Sequence, residues 1–432
     1  MNVCVVGLGK IGLPLAVQFA RKGQMVIGVD IDPRVVDAVN EGRAPFPGEA
    51  HLSERLLDVV GNGSLCATIE TTQAAASSEV VIVIVPLVID DRGHPDFSGI
   101  DRATEAIGRG LRKGTLVSYE TTLPLHGTRR LGELLEKTSG LKAGDDFFLC
   151  HSPERIFSGR IFADLSRYPK LVGATDPEGA AKAVSFYEAV LDFDERTDLR
   201  RANGVWDLGS PESAELAKLA ETSYRNLNIA FANELAMAAD RAGVDVARVI
   251  EASNSQPYSH IHQPGIAVGG HCIPVYPHFL VDADKEMRLV DLGLSINDGM
   301  PSYGIALLTE LLGGLEGARV AILGASYRPG VKELSFSGVF ALQSSLEALG
   351  AIPMVHDPLF SPEELEHEGL RAYSFGEPSD GLVLHTAHEQ YAALNSGDVP
   401  GVKGVVDGRG ILDPSRWPGV RFRRIGDGGP QE

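Results

Sequence analysis

The feature that most constrains the fold of this chain is a glycine pattern close to its beginning. Gly7, Gly9 and Gly12 have the spacing G-x-G-x-x-G, directly after the apolar run VCVV and before a helical pattern. The first glycine allows a tight turn, the second lets a pyrophosphate approach the backbone, and the third permits close packing of helix on strand. The helix N-terminus adds N–H donors for the phosphates. The pattern therefore predicts a dinucleotide site at the start of an α/β domain.

An acidic residue after the next strand indicates which dinucleotide binds there. Asp30 follows the apolar run Met25–Val29, about 20 residues beyond the glycine turn, where an acid can hold a ribose 2′-hydroxyl. A carboxylate at this place repels the 2′-phosphate of NADP, so we predict NAD as the cofactor. The alternative is a Rossmann-shaped domain that no longer binds a cofactor.

Short runs rich in β-branched residues alternate with helical patterns in the first third of the chain, which is typical of a doubly wound parallel sheet. The order strand, glycine, helix, glycine, strand, aspartate then recurs in the last third, from Arg319–Leu323 and Gly324 to Ile352–His356 and Asp357. The chain is therefore predicted to contain two Rossmann-like units. The predicted elements are strands at 3–6, 25–29, 80–85, 116–118, 319–323 and 352–356, and helices at 13–22, 34–41 and 338–349.

A long helical pattern separates these two units. It starts at Pro211, with Ser210 as its candidate N-cap, and ends before Gly243. A helix of this length is typical of an element that links domains or forms a dimer. A second helix is expected at 300–312, and the tail after Gly426 is expected to be disordered.

We therefore expect an α/β fold in which two Rossmann-like doubly wound domains are joined by a long helix and a helical dimerisation domain. The expected boundaries are 1–205 for the first Rossmann domain, 206–305 for the central helical domain and 306–432 for the C-terminal domain. A chain of 432 residues is long enough for such a division.

Charge and cysteine content exclude several other classes of protein. The formal net charge of −19 argues against nucleic acid or an anionic membrane as a partner. The most apolar run, residues 80–89, is about half of what a transmembrane helix needs, and no signal peptide is expected. Four scattered cysteines favour neither a disulfide framework nor a metal site. A cytoplasmic location is the expectation.

One of the four cysteines lies in a sequence that suits a nucleophile. Cys272 follows Gly269, Gly270 and His271 in the segment HQPGIAVGGHCIPVYPHF. A lone cysteine is more often buried and inert than reactive, but glycines before a thiol leave room for a substrate. NAD takes one hydride from an alcohol and leaves an aldehyde; further oxidation to an acid requires a nucleophile such as a thiolate to add first.

The long helix carries polar residues at i, i+3, i+4 and i+7 spacing, which places them on one face. One interpretation is a solvated stripe with a charge pair between Glu221 and Arg225. The other is a buried binding surface, which the apolar residues around Asn228 favour. The stripe consists of Lys218, Glu221, Thr222, Arg225 and Asn228.

Over nearly its whole length the chain resembles the UDP-glucose / UDP-N-acetylmannosamine 6-dehydrogenase family. The blocks that carry the resemblance occur in the family's order: GLGKIGLP, ETTLP, SPERIFSG, ELAKLAETSYRNLNIAFANELA, PGIAVGGHC and SYRPGVKE. The resemblance implies an NAD-binding domain, a helical middle that forms a homodimer, and a C-terminal domain that binds the UDP part of a UDP-sugar substrate.

The resemblance also implies catalytic roles. Cys272 matches the thiol nucleophile, and Lys218 matches the lysine that stabilises the developing oxyanion. Glu154 matches the acid linked to proton transfer and thioester hydrolysis. Thr222 stands where the family usually has an asparagine and can still donate a hydrogen bond.

Binding residues follow from the same match. Thr122 is implied near the nicotinamide, Arg155 and Arg225 near the sugar, and Arg328 at the UDP phosphates. The implied cofactor-binding set is Gly7, Gly9, Lys10, Ile11, Gly12, Asp30, Arg34, Pro86 and Thr122. The implied substrate-binding set is Arg155, Ile156, Arg225, Asn228, Tyr258, Gly269, His271, Tyr276, Arg328, Lys332 and Arg409.

Three further positions depart from the family pattern. Tyr276 replaces an aspartate that is thought to hold a proton-relay water, and a phenol of pKa about 10 is no substitute for a carboxylate base. Gln256-Pro257-Tyr258 replaces a segment with a substrate-directed arginine. Phe336 replaces a second arginine, for which Lys332 is the candidate compensation. Proton handling is therefore expected to shift toward Lys218, Glu154 and water.

The dipeptide His271-Cys272 indicates the substrate. The resemblance implies that members reading G-G-H-C act on UDP-N-acetylated hexosamines, such as UDP-ManNAc or UDP-GlcNAc, and members reading G-G-S-C act on UDP-glucose or GDP-mannose. The expected reaction is a two-step oxidation of the C6 hydroxyl to the uronic acid. The alternatives are UDP-glucose as substrate, a single-step dehydrogenase of a small 3-hydroxy acid, and a non-catalytic nucleotide-sugar binding protein.

Overall fold

The computed structural model describes residues 1–90, 92–157 and 159–429, and these divide into two compact units. The first unit comprises Met1–Glu221 and His278–Asp284. The second comprises Thr222–Pro277 and the chain from Lys285 onwards. Each unit is built around its own sheet, as the repeated strand–glycine–helix–strand pattern predicts.

The first unit contains an eight-stranded sheet with the order β10-β9-β8-β7-β4-β1-β2-β3, and a two-stranded hairpin of β5 and β6. All of the neighbouring strands of the large sheet are parallel except β8 and β9, which are antiparallel. The strands are β1 Asn2–Val6, β2 Met25–Val29, β3 Leu65–Thr68, β4 Val80–Val83, β5 Val88–Ile89, β6 Pro95–Asp96, β7 Leu116–Tyr119, β8 Phe148–His151, β9 Lys170–Ala174 and β10 Val205–Asp207.

Helices connect these strands, and apolar residues of both element types form a common core. Asp32 and Asp176 cap two of the helices by accepting hydrogen bonds from the N–H groups of Arg34 and Gly179. The helices are α1 Gly12–Arg21, α2 Pro33–Asn40, α3 Leu52–Gly61, α4 Thr71–Ala76, α5 Ser98–Gly110, α6 Gly127–Ser139, α7 Ile161–Arg167 and α8 Pro177–Val190. The helices predicted at 13–22 and 34–41 are confirmed to within one residue.

The predicted long helix is confirmed as α9, Pro211–Ala242. Ser210 caps it, since its hydroxyl accepts a hydrogen bond from the N–H of Ser213 at 3.2 Å. Gly243 follows with a φ of 70°, the left-handed conformation that ends helices. Three more helices follow: α10 Val246–Asn254, α11 Tyr276–Ala283 and α12 Arg288–Leu312.

Helix α12 is longer than the predicted 300–312, because polar residues interrupt its apolar pattern. Asn297 is buried and donates to the carbonyl of Asn226 at 3.1 Å, while its side-chain oxygen accepts from Asn233 at 2.9 Å. Pro301 lies inside the helix. A pattern that counts only apolar residues therefore starts this helix three turns too late.

The second unit contains a five-stranded parallel sheet with the order β12-β11-β13-β14-β15. Its apolar residues pack with those of α9 and α12 in one core. The strands are β11 Arg319–Leu323, β12 Ile352–His356, β13 Gly381–Leu384, β14 Gly404–Asp407 and β15 Arg421–Arg424, and the helices are α13 Val339–Ala348 and α14 Pro362–His367. The second predicted Rossmann-like unit is thereby confirmed.

The expectation of a disordered tail after Gly426 is wrong for residues 427–429. The Asp240 carboxylate accepts hydrogen bonds from the N–H groups of Gly426 and Gly428, at 3.1 and 3.0 Å. Asp427 forms an ion pair of 2.8 Å with Arg423. These polar contacts hold a glycine-rich segment that its composition alone marks as flexible. Residues 430–432 of the predicted tail lie outside the described residues.

Candidate active site

The glycine turn of the first unit has the tight geometry that the motif predicts. Gly7 has a φ of 100°, and its N–H donates to the carbonyl of Val29 at 2.8 Å. A Cβ added to Gly12 would lie 1.8 Å from the Gly7 carbonyl oxygen, whereas a Cβ on Gly9 would meet nothing within 4 Å. No side chain caps the first turn of α1. The turn thus fits a pyrophosphate, with open space at Gly9 and the first N–H groups of α1 beside it.

Asp30 stands at the end of β2 and is fixed to this turn. Its carboxylate accepts hydrogen bonds from the N–H of Leu8 at 2.9 Å and from the N–H of Asp32 at 3.0 Å. Arg34 is exposed and forms an ion pair of 2.7 Å with Asp32, whose pKa this hydrogen bond lowers. Two carboxylates next to one neutralised arginine suit a free ribose hydroxyl better than a phosphate.

The other cofactor positions follow the same edge of the sheet. Lys10 and Ile11 belong to the glycine turn, Pro86 follows β4, and Thr122 follows β7. Pro86 is exposed and Thr122 is buried. Because the carboxyl ends of parallel strands lie at one edge, the predicted NAD residues come together there.

Glu154 follows β8 and is part of a buried ionic cluster. Its carboxylate accepts a hydrogen bond of 2.7 Å from the Lys170 ammonium, which donates to Glu120 at the same distance. Burial alone would raise the pKa of Glu154, but the charge and hydrogen bond of Lys170 lower it. Glu154 is therefore held as a carboxylate. Neither Glu120 nor Lys170 was singled out from the sequence.

The neighbouring residues of the SPERIF segment lie partly at the surface. Arg155 forms an ion pair of 2.6 Å with Glu221 of α9 and donates to the carbonyl of Pro169 at 3.3 Å. Ile156 is half-buried against the core of the first unit. Arg155 is thus positioned by an acid, with part of its side chain exposed.

The polar stripe on α9 is neither fully solvated nor fully buried. Lys218 and Thr222 are 7% and 6% exposed, whereas Glu221 and Arg225 are exposed. Asn228 is half-buried and holds a loop: its amide donates to the carbonyl of His260 at 2.7 Å, and its oxygen accepts from the N–H of His262 at 2.8 Å. The helix therefore buries the two residues expected to act in catalysis.

In the second unit, Cys272 is a free and exposed thiol that precedes α11. Its carbonyl accepts hydrogen bonds from the N–H groups of Val275 and Tyr276, the latter at 2.9 Å, so Tyr276 is the first residue of the helix. The thiol thus lies on a turn that the backbone fixes. Tyr276 is half-buried one helical turn further along the chain.

Close packing requires the two glycines before the thiol. A Cβ on Gly269 would lie 2.8 Å from the carbonyl oxygen of Phe336, and one on Gly270 would lie 2.8 Å from the ring of Tyr327. The N–H of Gly270 donates to the carbonyl of Ser335 at 3.1 Å. The segment after β11 therefore supports the thiol loop, and its support includes Phe336, whose φ of 49° is unusual for a residue with a side chain.

The remaining residues that were predicted to bind substrate lie in different environments of the second unit. His271 is exposed and pairs with the Glu333 carboxylate. Lys332 pairs with Glu364, so its charge is neutralised locally. Tyr258 is 92% exposed. Arg328 is half-buried and donates to the Tyr327 hydroxyl at 3.1 Å.

Arg409 holds the backbone of its own unit together. Arg409 is half-buried, and the loss of solvent around its guanidinium lowers its pKa to about 10. It donates to the carbonyls of His385 and Ala267, at 2.6 and 3.0 Å. A Cβ on Gly265 would lie 2.4 Å from its guanidinium. These contacts position the start of the thiol loop, a role that the DGR block did not indicate.

The second unit has a glycine turn of its own, directly after β11. Gly324 has a φ of 99°, and its N–H donates to the carbonyl of His356 at 2.7 Å. Asp357 then accepts hydrogen bonds from the N–H groups of Ala325 and Ser326, both at 2.8 Å, and its carboxylate contacts His388 at 3.2 Å. It is 2% exposed. This turn repeats the strand–glycine–aspartate geometry of the first unit. Its carboxylate is closed, by which we mean that it is buried and already hydrogen-bonded within the protein.

Comparison with known proteins agrees with this organisation. The UDP-N-acetyl-D-mannosamine dehydrogenase of Pyrococcus horikoshii is 32% identical over 99% of this chain and 100% of its own length. The chain belongs to the UDP-glucose/GDP-mannose dehydrogenase family. Its NAD binding, central and UDP binding domains match residues 1–191, 212–298 and 321–414. Membership makes the chain an oxidoreductase of the nucleotide-sugar dehydrogenase class, and the first domain indicates NAD.

Other members of the family differ in the sugar that their names specify. An NDP-N-acetyl-D-galactosaminuronic acid dehydrogenase of Ralstonia nicotianae is 32% identical over 96% of this chain and 97% of its own. Solved structures include a UDP-D-ManNAc dehydrogenase of Pyrococcus horikoshii, with a TM-score of 0.87 at 31% identity, covering 99% of this chain and 100% of that one. A UDP-glucose dehydrogenase of Pyrobaculum islandicum has a TM-score of 0.86 at 27% identity, covering 98% and 97%.

Within residues 1–90, 92–157 and 159–429, no helix has the length and apolar character needed to cross a membrane.

Proposed function

We propose that this protein oxidises the C6 hydroxyl of a UDP-N-acetylhexosamine to the uronic acid, in two NAD-dependent steps, through a covalent intermediate on Cys272. The observation that carries the proposal is one exposed, free thiol in a loop whose preceding glycines admit no side chain, in a chain with an NAD binding domain and a UDP binding domain. A single oxidation of an alcohol needs no such thiol.

The proposed chemistry assigns a role to each group of this chain. Lys218 or an ordered water takes the proton of the C6 hydroxyl, and bound NAD supplies the hydride acceptor for each of the two oxidations. The Cys272 thiolate adds to the aldehyde carbon, which gives a thiohemiacetal whose oxygen Lys218 and Thr222 stabilise. Loss of the second hydride leaves a thioester. Water, deprotonated with the help of Glu154, then attacks the thioester carbon and releases the Cys272 thiolate.

The sugar is proposed to be an N-acetylated hexosamine of the ManNAc or GlcNAc type. His271 stands next to the thiol, and the Glu333 carboxylate fixes its imidazole. Two of the similar relatives are named for N-acetylated sugars. UDP-glucose is the second candidate, favoured by the close likeness to the Pyrobaculum islandicum enzyme.

A candidate of another class is a nucleotide-sugar binding protein without catalysis. Tyr276 favours it, because a phenol of pKa about 10 stands where the resemblance implies a carboxylate. Binding of a UDP-sugar without formation of NADH distinguishes this candidate from an enzyme.

The assembly and location of the protein are also proposals. Tyr224 and Phe231 lie seven residues apart on α9, with 63% and 50% of their surface exposed, and such a stripe suits a homodimer formed through the central helical segment. We propose segment boundaries at 1–205, 206–305 and 306–432, close to the limits of the three family domains. Free cysteines at all four positions agree with a reducing, cytoplasmic compartment.

The decisive experiment measures NADH formation with UDP-glucose, UDP-GlcNAc, UDP-ManNAc and UDP-GalNAc. We expect two NADH per sugar with an N-acetylated substrate. Cys272→Ser is expected to lower uronic acid formation by about 1,000-fold or more. The matched control is Cys66→Ser, which changes another exposed, free cysteine and should leave turnover unchanged. No NADH with any of the four sugars contradicts the proposed function.

A further inference from the structure

Two carboxylates share one lysine in the interior of the first unit. The Lys170 ammonium lies 2.7 Å from an oxygen of Glu120 and 2.7 Å from an oxygen of Glu154. The side chains are 5%, 0% and 10% exposed. Lys170 opens β9, Glu120 follows β7 and Glu154 comes three residues after β8. The three groups therefore form a rigid cluster at neighbouring strands, and Glu154 is the member implicated in catalysis.

The charges of this cluster do not balance. One ammonium faces two carboxylates, so full ionisation leaves a net charge of −1 in a buried site, which is costly. One proton shared by the two carboxyl groups removes that charge. Burial and the nearby Glu154 charge raise the pKa of Glu120 to about 7, whereas Lys170 and a hydrogen bond with Glu120 lower the pKa of Glu154. Below about pH 7 the shared proton therefore rests on Glu120, and above that pH Glu120 is ionised and can accept a proton.

The surrounding groups determine which residue of the cluster can titrate near neutral pH. The Tyr187 hydroxyl of α8 donates a hydrogen bond of 2.8 Å to Glu120, which favours the ionised form of Glu120 against the effect of burial, and it contacts the Ser118 hydroxyl at 2.8 Å. His151 is fully buried, and its two ring nitrogens have no hydrogen-bond partner among the described residues. Burial and the charges of Lys170 and Lys218 lower the pKa of His151 to about 3, so it stays neutral. The buried Cys150 thiol has its pKa raised to about 12 by burial. Glu120 is thus the group here that can gain or lose a proton near neutral pH.

We propose that Lys170 is a positioning residue for Glu154 and that Glu120 is the resting place of the proton that Glu154 removes from the hydrolytic water. This inference rests on the proposed function, in which Glu154 assists thioester hydrolysis. The water proton goes to Glu154 while the hydroxide adds to the thioester carbon. The proton then passes directly to Glu120 along the hydrogen bond between the two carboxyl groups, which the Lys170 ammonium holds together. Glu154 is left ionised, and loss of the proton from Glu120 to solvent restores the starting state for the next turnover.

The pairing of Glu154 with Glu120 compensates for the weak basicity of Glu154. A carboxylate with a lowered pKa is a weak base, so it retains a water proton poorly. A neighbouring carboxyl with a raised pKa accepts that proton at neutral pH. Consequently the hydrolysis step requires Glu120 in its ionised form, and its rate should rise as pH increases through about 7.

The kinetic test compares Glu120→Gln with the wild type between pH 5.5 and 9, using the UDP-sugar that gives the highest NADH yield. We expect the NADH burst and the KM for the sugar to be unchanged, and steady-state turnover at pH 8 to fall about tenfold. The rise near pH 7 should disappear, and the Cys272 adduct should accumulate in acid-quenched samples analysed by mass spectrometry. Lys170→Arg should retain the rise, whereas Lys170→Met should shift it to higher pH. A Glu120→Gln profile that retains the rise near pH 7 overturns the inference.

A second measurement does not depend on activity. The raised pKa of Glu120 in the folded state stabilises the fold below the unfolded value of about 4.5, and this contribution is lost as pH rises through about 7. The melting temperature of Glu120→Gln should therefore fall less between pH 5 and pH 7.5 than that of the wild type, by about 3 °C. Parallel curves overturn the inference even if the enzyme is active. Conversely, wild-type protein without NADH formation defeats the proposed function itself.

Glu215 provides a matched control in the same unit. It is a fully buried carboxylate that accepts hydrogen bonds from the N–H groups of His126 and Thr128, at 2.7 and 2.8 Å, and its pKa is raised by burial. Glu215→Gln makes the same chemical change without altering the shared proton. It should lower the melting temperature and leave the pH at which turnover rises unchanged. A loss of the rise in this variant would contradict the special role of Glu120.

Discussion

The two glycine turns of this protein have the same backbone design, yet they serve different purposes. In each, a buried strand ends at a glycine of φ about 100°, whose N–H donates to the following strand, and an aspartate after that strand accepts from the turn. In the first unit α1 begins five residues after Gly7; in the second, α13 begins only at Val339. The segment between Gly324 and α13 in the second unit packs against the thiol loop instead.

The two aspartates show the difference most clearly. Asp30 is half-buried and has two backbone N–H partners. Asp357 is 2% exposed, accepts from the N–H groups of Ala325, Ser326 and Leu359, and is covered by His388. A carboxylate with its lone pairs already used cannot also hold a ribose. The same local geometry therefore predicts a cofactor site in one unit and structural support in the other.

The largest expected effect comes from filling the first turn. Gly12→Ala would place its Cβ 1.8 Å from the Gly7 carbonyl, so the turn must open. We expect NADH affinity, measured by fluorescence titration, to fall about 100-fold or more. The counterpart is Gly324→Ala, whose Cβ would lie 2.3 Å from that of Thr386. It should destabilise the protein by about 2 kcal/mol while NADH affinity stays within about twofold. Equal loss of affinity in both variants would break the comparison.

Replacing each of the two aspartates by asparagine separates an effect on cofactor binding from an effect on stability. Asp30→Asn should raise the KM for NAD about tenfold, because an amide accepts a ribose hydroxyl less strongly than a carboxylate. Asp357→Asn should leave that KM unchanged and lower the free energy of unfolding by about 2 kcal/mol, since a buried network loses its charge. Steady-state kinetics and denaturant unfolding check the pair. A stable Asp357→Asn protein would show that the closed carboxylate is not structural.

The stability of the protein at acidic pH provides a further test of the structural role of Asp357. Although burial acts to raise it, the hydrogen bonds of His388 and of backbone N–H groups lower the pKa of Asp357 to about 2. A group of lowered pKa stabilises the fold above its unfolded value of about 4, and this contribution is lost as pH falls toward 2. Unfolding between pH 5 and 2.5 should be less steep in Asp357→Asn than in wild type. The same pH dependence of stability in both proteins would argue against a structural role of the Asp357 carboxylate.

The smallest expected effect concerns cofactor choice. Asp32→Ala removes one carboxylate near Asp30 and frees Arg34 from its ion pair. We expect the KM for NADP to fall about threefold, with the KM for NAD within about twofold of wild type. Initial rates with each cofactor test this expectation. An unchanged KM for NADP would mean that Asp30 alone sets the preference.

The first glycine turn could be predicted from local sequence patterns. The residues that the sequence did not indicate are those whose partners lie far away along the chain. The run from Gly7 to Asp30 is visible in the sequence because turn, helix and acid lie within one short segment. Lys170 is not, because its partners are 16 and 50 residues away and the run YPKLV reads as an ordinary strand start. The ETTLP block contains Glu120, but the family resemblance implies a role only for Thr122 of that block.

Residues of the second unit were harder to assign for the same reason. The role of Arg409 depends on carbonyls up to 142 positions away, which no local pattern reveals. The closed state of Asp357 requires His388, 31 positions further along the chain. Family motifs therefore gave the residue types of the site, whereas the partners of each charged group required the fold.

The most direct test of the account is the stoichiometry of NADH and uronic acid in a single preparation of wild-type enzyme with UDP-ManNAc or UDP-GlcNAc. Absorbance gives the NADH, and chromatography of the nucleotide sugars gives the product. The account predicts two NADH for each uronic acid, no released aldehyde, and a thioester-sized adduct on Cys272 during turnover. One NADH per sugar with free aldehyde in solution would contradict it.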